Sequence, residues 1–215
     1  MIKGFITRTF SAAIFVAIMS TGILWNTWSF AAVMLIVLIG SLVEFYKITR
    51  YKRDILSPFS SAKSRNFVLG ISIVWFLISF FTNGGLKDLA LGDGLIAKLI
   101  HSLVSRKFTF ADVAVFFPAL AMLVFIHELF SKAEMPFTNI AWNLLALFYI
   151  TLPVILTLQI YFESGRWILL AVVGLIWIND AMAYVTGLLV GKTKMFERLS
   201  PSKTIEGMIG GILLT

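Results

Sequence analysis

An all-α polytopic bundle of transmembrane helices is the fold class this sequence predicts, and three observations predict it. Hydrophobic residues fill 59% of the 215 positions against 13% charged, with a mean hydropathy of +0.93, more than a soluble domain of this size keeps in solution. The apolar residues gather into windows of about the 20 residues that a helix needs to cross a bilayer core. The basic residues fall between those windows with a bias to one side, as the positive-inside rule expects.

Six complete spans are expected, at about 10–25, 29–46, 66–82, 110–130, 139–160 and 167–190, followed by the start of a seventh. The first follows Lys3 and Arg8 and has no small-residue cleavage site, so it reads as a retained signal anchor with the N-terminus in the cytoplasm. Between the first two spans, TGILWNTWS carries no charge and brings Trp25 and Trp28 to headgroup level. After the second, KITRYKRDILSPFSSAKSR holds six basic residues and faces the cytoplasm. Carried along the chain, the alternation leaves 13 of the 18 Lys and Arg inside; Lys87, Lys98, Arg106, Lys107 and Arg166 lie outside. Within the outer loop, DGLIAKLIHSLVSRKF sets Leu95, Ile96, Leu99, Ile100, Leu103 and Val104 against Lys98, His101, Ser102, Ser105 and Arg106. That spacing predicts an amphipathic helix lying on the outer surface, with His101 solvated. With no internal repeat or soluble linker, residues 1–215 read as a single integral membrane domain.

Cysteine is absent, which excludes disulfides, thiolate metal sites and a Cys nucleophile. The net charge of +7 is a topology signal in such a chain, and nucleic acid is not an expected partner. The chemistry rests on oxygens, amines and backbone amides.

Four carboxylates lie in or at the ends of the spans. Glu44 stands three residues before Lys47 at a helix end, an ordinary surface pair. Asp112 follows Thr109 at the spacing of a capping box. His127 and Glu128 lack the second His of a zinc-protease helix, because Ser131 stands there; what is left for the pair is the border of a polar site facing the cytoplasm. Asp180 differs. It lies three turns inside the sixth span, where an ionised carboxylate costs several kcal/mol unless a cation or a water-filled cavity compensates it. Tyr184, Gly187 and Gly191 follow Asp180 at i+4, i+7 and i+11, a stripe whose glycines leave room for a bulky ligand or a closely packed helix. Asn179 reads as an interhelical hydrogen-bonder.

The sequence GLLVGKT at 187–193 imitates a phosphate-binding loop, but it has three residues between its glycines where the motif has four. The stretch SPSKTIEG at 200–207 carries more chemistry. Ser200 suits a helix N-cap and Pro201 the first helical position, so residues 192–207 read as a cytoplasmic loop entering a helix whose free amides attract phosphate. Lys203 adds a full positive charge, Ser200, Ser202 and Thr204 add hydroxyls, and Lys192, Lys194 and Arg198 enrich the approach. Gly207 and Gly211 form a small-residue face for packing against the Asp180 helix. A carboxylate that recruits a divalent cation and a loop that takes phosphates are two halves of a metal–nucleotide site.

The pattern D-x-x-A-Y-x-x-G-x-x-x-G at 180–191 with SPSKTIEG at 200–207 resembles the phosphatidate cytidylyltransferase, or CDP-diacylglycerol synthase, family. The resemblance covers the last quarter of the chain. It implies that Asp180 is catalytic and helps hold Mg²⁺, that Lys203 is catalytic, and that Lys192, Ser200, Pro201, Ser202, Thr204 and Glu206 bind CTP or shape its pocket. The implied reaction joins CTP and phosphatidic acid into CDP-diacylglycerol with release of pyrophosphate, at the inner cell membrane. Implied partners are CTP, phosphatidic acid, the lipid bilayer and a second copy of the chain. Leu188 departs from the Arg common in the family at that place. The closing Lys-Asp and His-Gly-Gly-x-x-Asp-Arg elements are not found before Thr215, so the chain reads as the N-terminal part of such an enzyme. Two other classes fit less well: a CTP-dependent polyprenol or phytol kinase, which would release CDP, and a transporter or membrane scaffold, whose polar residues would spread over several spans.

Overall fold

Residues 2–51, 62–85, 109–133, 135–196 and 200–215 are described by a computed structural model of the chain. The chain falls into two compact units, Met1–Gly165 and Arg166–Thr215. The first contains α1 (Ile2–Trp25), α2 (Thr27–Tyr51), α3 (Ala62–Phe80) with a π-helical turn Phe81–Gly85, α4 (Phe110–Phe130), α5 (Pro136–Ala146), a π-helical turn Leu147–Thr151, and α6 (Leu152–Ser164). The second contains α7 (Arg166–Val190), the strands β1 (Lys194–Phe196) and β2 (Ser200–Thr204), and α8 (Ile205–Leu214).

Helices dominate, as predicted. Among the described residues, five are long and apolar enough to cross a membrane: Thr27–Thr49, Ala62–Gly84, Ala111–Phe130, Pro136–Ser164 and Arg166–Val190. This is a multi-pass membrane protein. The remaining expected span, α1, is one helix of 24 residues whose apolar part is Ala12–Trp25, and the expected start of a seventh is the apolar α8. The amphipathic segment at 93–108, Arg198 and the middle of the basic loop, 52–61, lie outside the described residues.

Local chemistry sets the helix ends. Asn26 breaks α1 from α2: its Oδ1 accepts from the Ser29 amide at 2.7 Å, and Ser29 Oγ accepts from the Asn26 amide at 3.0 Å, a reciprocal cap. Gly22 lets the two helices meet, since a Cβ there would stand 2.7 Å from Val33 Cγ2. Trp25 and Trp28 are exposed beside this turn. Thr109 and Asp112 form the expected capping box, with the Thr109 amide donating to Asp112 Oδ2 at 2.7 Å. Glu44 and Lys47 pair at 3.4 Å on the surface.

The core of the first unit follows from spacing. Phe30, Met34, Leu38, Leu42 and Tyr46 recur every four residues along α2 and are all buried; Phe30 stacks on Tyr161 of α6 at 4.0 Å between ring centroids. Through this apolar packing runs a polar seam. Asn143 Nδ2 donates to Ser64 Oγ at 2.6 Å, Ser64 Oγ donates to Glu128 Oε2 at 3.0 Å, Asn139 Nδ2 donates to Glu128 Oε1 at 2.6 Å, and Tyr46 OH donates to Asn143 Oδ1 at 2.8 Å. Farther along α3, Ser72 and Thr151 share a hydrogen bond of 2.9 Å. Asn143 and Thr151 are eight residues apart, about 80° beyond two full turns of a regular α-helix. The π-helical turn Leu147–Thr151 lies between them and takes up the extra residue, which returns Thr151 to the side facing α3.

Each hydrogen bond of the seam is made away from water, so removing one member leaves its neighbours unsatisfied. Replacing Asn143 with Ala is expected to cost about 2 kcal/mol in a detergent unfolding titration. Asn66→Ala, on the exposed side of α3, serves as the control and is expected to change stability by less than about 0.5 kcal/mol.

Candidate functional site

The residues singled out by sequence gather in the second unit, and their roles there divide into two groups. The first group builds the scaffold. SPSKT is a strand, not the start of a helix: β2 pairs antiparallel with β1, Lys194 opposite Thr204 and Phe196 opposite Ser200, with an irregularity between the two rungs. Ser200 is therefore not an N-cap, and Pro201 is not a first helical residue. Thr204 takes the cap, its Oγ1 accepting from the Gly207 amide at 3.2 Å. The cap falls four residues later than predicted because Ser200–Thr204 finds a hydrogen-bonding partner in β1, a long-range pairing that outweighs local capping preference.

Close approach explains the glycines. A Cβ at Gly207 would lie 3.0 Å from Gly187 Cα and 2.7 Å from the Ala183 carbonyl, and one at Gly211 would lie 2.6 Å from Asn179 Oδ1. Thr204 Oγ1 stands 2.6 Å from a Cβ built on Gly191. Of the two uses left open for the Gly187–Gly191 stripe, packing against a helix is the one adopted, and α8 fills the space. Asn179 lies on that contact, beside Gly211, but its side chain makes no interhelical hydrogen bond among the described residues, in contrast to the expectation from sequence. Thr186 was not anticipated: its Oγ1 lies 2.6 Å from the Met182 carbonyl and 3.2 Å from the Gly207 carbonyl across the interface. Its signal was the heptad separation from Asn179, both polar in an apolar run.

Glu206 also belongs to the scaffold. Its Oε2 accepts from the Lys192 amide at 3.1 Å, and Oε1 and Oε2 lie 3.2 and 3.1 Å from the Thr193 amide. The next link is the Ile205 amide donating to the Thr193 carbonyl at 3.0 Å. Of the two roles expected for Glu206, binding CTP or shaping its pocket, these backbone contacts are of the second kind. The amides predicted to await phosphate at the entry to α8 are likewise engaged in part, that of Gly207 by Thr204.

The second group remains open. Lys203 is exposed and its neighbour Thr204 is buried, as alternation along a strand requires. Ser200 is half-buried in β2, and Lys192 and Lys194 are exposed. Pro201 and Ser202 lie in β2, with side chains outside the described set. On α7, Asp180 and Tyr184 are exposed, and Asp180 has no hydrogen bond or ion pair among the described residues. No group of three or more His, Asp or Glu side chains able to hold a metal forms among the described residues. Asp180 alone fits magnesium as a single protein ligand, because that ion binds through one or two carboxylates and keeps water and phosphate oxygens for its other positions.

In the first unit, Glu128 is deeply buried in the polar seam. His127 stacks on Phe67 at 4.2 Å, and its Nδ1 lies 3.8 Å from Glu128 Oε2. The pair thus belongs to a polar cluster with Tyr46, Ser64, Asn139 and Asn143, four residues that sequence spacing did not connect.

A hydrogen bond from its own amide, with those from Thr193 and Lys192, holds the Glu206 carboxyl down at about 2, below its ordinary value of 4.5. Because the folded value is the lower one, its contribution to stability is complete above the ordinary carboxylate range and is lost as pH falls through about 2. A carboxyl-carbon titration followed by NMR is expected to show Glu206 still ionised at about pH 4; a midpoint at or above that pH would contradict the amide contacts.

Comparison with known proteins adds an independent finding. Residues 6–215 match the model of the Cytidylyltransferase family. Among curated proteins, the chain is similar to the phosphatidate cytidylyltransferase of Staphylococcus epidermidis (strain ATCC 35984), 35% identical over 95 residues, covering 44% of this chain and 36% of that protein. It is similar to the phosphatidate cytidylyltransferase of Aquifex aeolicus (strain VF5), 33% identical over 126 residues, 59% of this chain and 46% of that protein. The protein of the same name from Staphylococcus aureus (strain COL) is 32% identical over 94 residues, with 44% and 36% covered. In each case the chain spans less than half the length of the relative it matches.

Proposed function

Because the chain belongs to the cytidylyltransferase family, we propose that it acts in phosphatidate cytidylyl transfer, binding CTP beside a metal-holding carboxylate. The observation that carries the reading is the division within the second unit. Thr204, Glu206 and the glycines are committed to holding the hairpin on α7, while the side chains of Lys203 and Asp180 are not engaged by any hydrogen bond or ion pair among the described residues of the second unit. A protein that needed SPSKTIEG only as a topological basic loop would not build a strand pair and a buried cap to present one lysine.

In the proposed reaction an oxygen of the phosphatidic acid phosphate attacks the α-phosphorus of CTP. A phosphorus–oxygen bond forms there, the bond from that phosphorus to the bridging oxygen breaks, and pyrophosphate leaves. Lys203 binds triphosphate oxygens and stabilises the charge that moves onto the leaving pyrophosphate. Ser200 donates a hydroxyl hydrogen bond to the same anion, Lys192 adds charge at its approach, and Pro201 and Ser202 carry the strand between them. Asp180 is the residue to hold Mg²⁺, which when bound neutralises phosphate charge. Tyr184, one turn on, borders it. The same reading includes the inner cell membrane, a cytoplasmic N-terminus and assembly with a second copy of the chain. The side bias of the basic residues supports the orientation.

The kinetic test measures CDP-diacylglycerol, pyrophosphate and CDP against CTP and Mg²⁺ concentration in the protein as encoded. Asp180→Asn is expected to abolish Mg²⁺-dependent turnover with the fold retained. Lys203→Ala is expected to raise the CTP requirement about ten- to hundredfold, the effect of losing a charge-assisted phosphate contact of about 1.5–3 kcal/mol. Lys194→Ala is expected to cost far less, with a loss that shrinks as salt is added. Equal effects of the two lysines would return the hairpin to a topological role, and release of CDP in place of pyrophosphate would make the protein a lipid kinase.

Orientation has its own test, aided by the absence of cysteine. Cysteine placed at Lys194 is expected to react with an impermeant maleimide only from the cytoplasmic side, and cysteine at Ser164, exposed at the end of α6, only from outside. The reverse pattern would remove the site from the compartment that holds CTP.

A further inference from the structure

We infer that Glu206 is a positioning residue for nucleotide binding: by clasping the backbone amides of Lys192 and Thr193 it fixes the hairpin that presents Lys203. This inference rests on the functional reading above and deepens it. The ribbon is too small to hold itself, with strands of three and five residues where an isolated two-stranded hairpin is marginal in water. Its rungs are also irregular between Lys194 and Phe196, so the ladder by itself leaves the twist of β2 underdetermined. At the base of the ribbon the pairing is completed by other means. Lys194 pairs with Thr204, the Ile205 amide reaches the Thr193 carbonyl at 3.0 Å, and beyond it both oxygens of Glu206 close on the amides of residues 192 and 193 at 3.1–3.2 Å.

The clasp joins the chain leaving α7 to the first turn of α8, and Lys203 sits between those anchors. With Thr204 turned inward to cap α8 and fill the space beside Gly191, strand alternation sends Lys203 outward. A carboxylate suits this work because it accepts from two amides at once with charge-assisted strength. Gln keeps one good acceptor and places a second donor against an amide; Ala keeps none. Glu206 therefore acts on the phosphates of a nucleoside triphosphate through Lys203 and not by contact, since a carboxylate facing phosphate would repel it.

The test compares wild type, Glu206→Gln and Glu206→Ala in the protein as encoded, using two readouts. Backbone hydrogen exchange across residues 192–204 is expected to quicken about tenfold or more in the Ala variant and less in the Gln variant. KM for CTP is expected to rise in the same order, roughly tenfold for Ala, with kcat changed less. Exchange unchanged while KM rises would mean that Glu206 touches the nucleotide itself, which overturns the inference. Faster exchange with KM unchanged or lowered overturns it too, since the clasp would then be irrelevant to nucleotide or in competition with it. Should the Ala variant fail to fold, the Gln variant still gives both readouts. Should wild type not turn over CTP, the functional reading fails separately, and exchange at Ser200–Thr204 decides the clasp: protection lost in the Gln variant supports it, and protection kept overturns it.

Discussion

Inside a hydrocarbon slab no water is available to a hydrogen-bonding group, so every polar atom placed there has to find its partner within the protein. The packing of both units answers to that constraint, and Asp180 on α7 stands apart from it, with no partner among the described residues. The backbone meets it by staying helical through each apolar window. The side chains meet it by pairing across helices: Asn143 with Ser64, Ser64 and Asn139 with Glu128, Tyr46 with Asn143, Ser72 with Thr151. Individually such bonds contribute little in a membrane, about 0.6 kcal/mol on average. Their effect is on register. Sliding α3 by one residue against α5 would strand several buried groups at once, and each would cost more than a bond contributes. The π-helical turn at Leu147–Thr151 belongs to the same logic, since the extra residue lets two polar side chains eight positions apart meet the same neighbour.

The second unit meets the constraint differently, by bringing backbone against backbone. Where Gly187 faces Gly207, and Asn179 faces Gly211, the absence of side chains lets α7 and α8 approach closely enough for Thr186 to reach the Gly207 carbonyl. That approach docks α8 on α7. It also sets where the polar strand pair leaves the helices, and so where the charge of Lys203 is presented. Glycine spacing, cap and carboxylate clasp are thus one device, and the chemistry proposed for the protein depends on its geometry more than on the number of basic residues nearby.

Several features were legible in the residues because their causes are local. The Thr109–Asp112 box and the Glu44–Lys47 pair depend only on groups within one turn, and both formed as read. The pairing of Gly207 and Gly211 with the Asp180 helix was legible because small residues at i and i+4 leave few other uses in a membrane helix. The strand at Ser200–Thr204 was not. Ser-Pro is a strong local signal for a helix start, and the pairing with Lys194–Phe196 that overrides it leaves no mark of periodicity in a ribbon so short. The polar cluster around Glu128 was illegible for a related reason. Tyr46, Ser64, Glu128 and Asn143 come from four helices, and a polar residue near a helix end has an ordinary explanation when seen alone.

By itself, then, the sequence determined the solvent and the inventory. Apolar length and composition required membrane-spanning helices, the distribution of lysine and arginine gave an expected orientation, and Asp180 with SPSKTIEG marked the segment to which the proposed chemistry is assigned. Only the tertiary structure decided which of those marked residues are engaged by the fold. Glu206, Thr204, Gly187 and Gly191 are spent on backbone contacts, whereas the side chains of Lys203 and Asp180 are unengaged among the described residues. The physical reason is that a carboxylate or hydroxyl has the same identity in a sequence whether it faces a phosphate or an amide. Which one it meets is set by the close approach of elements that the chain brings together from a distance.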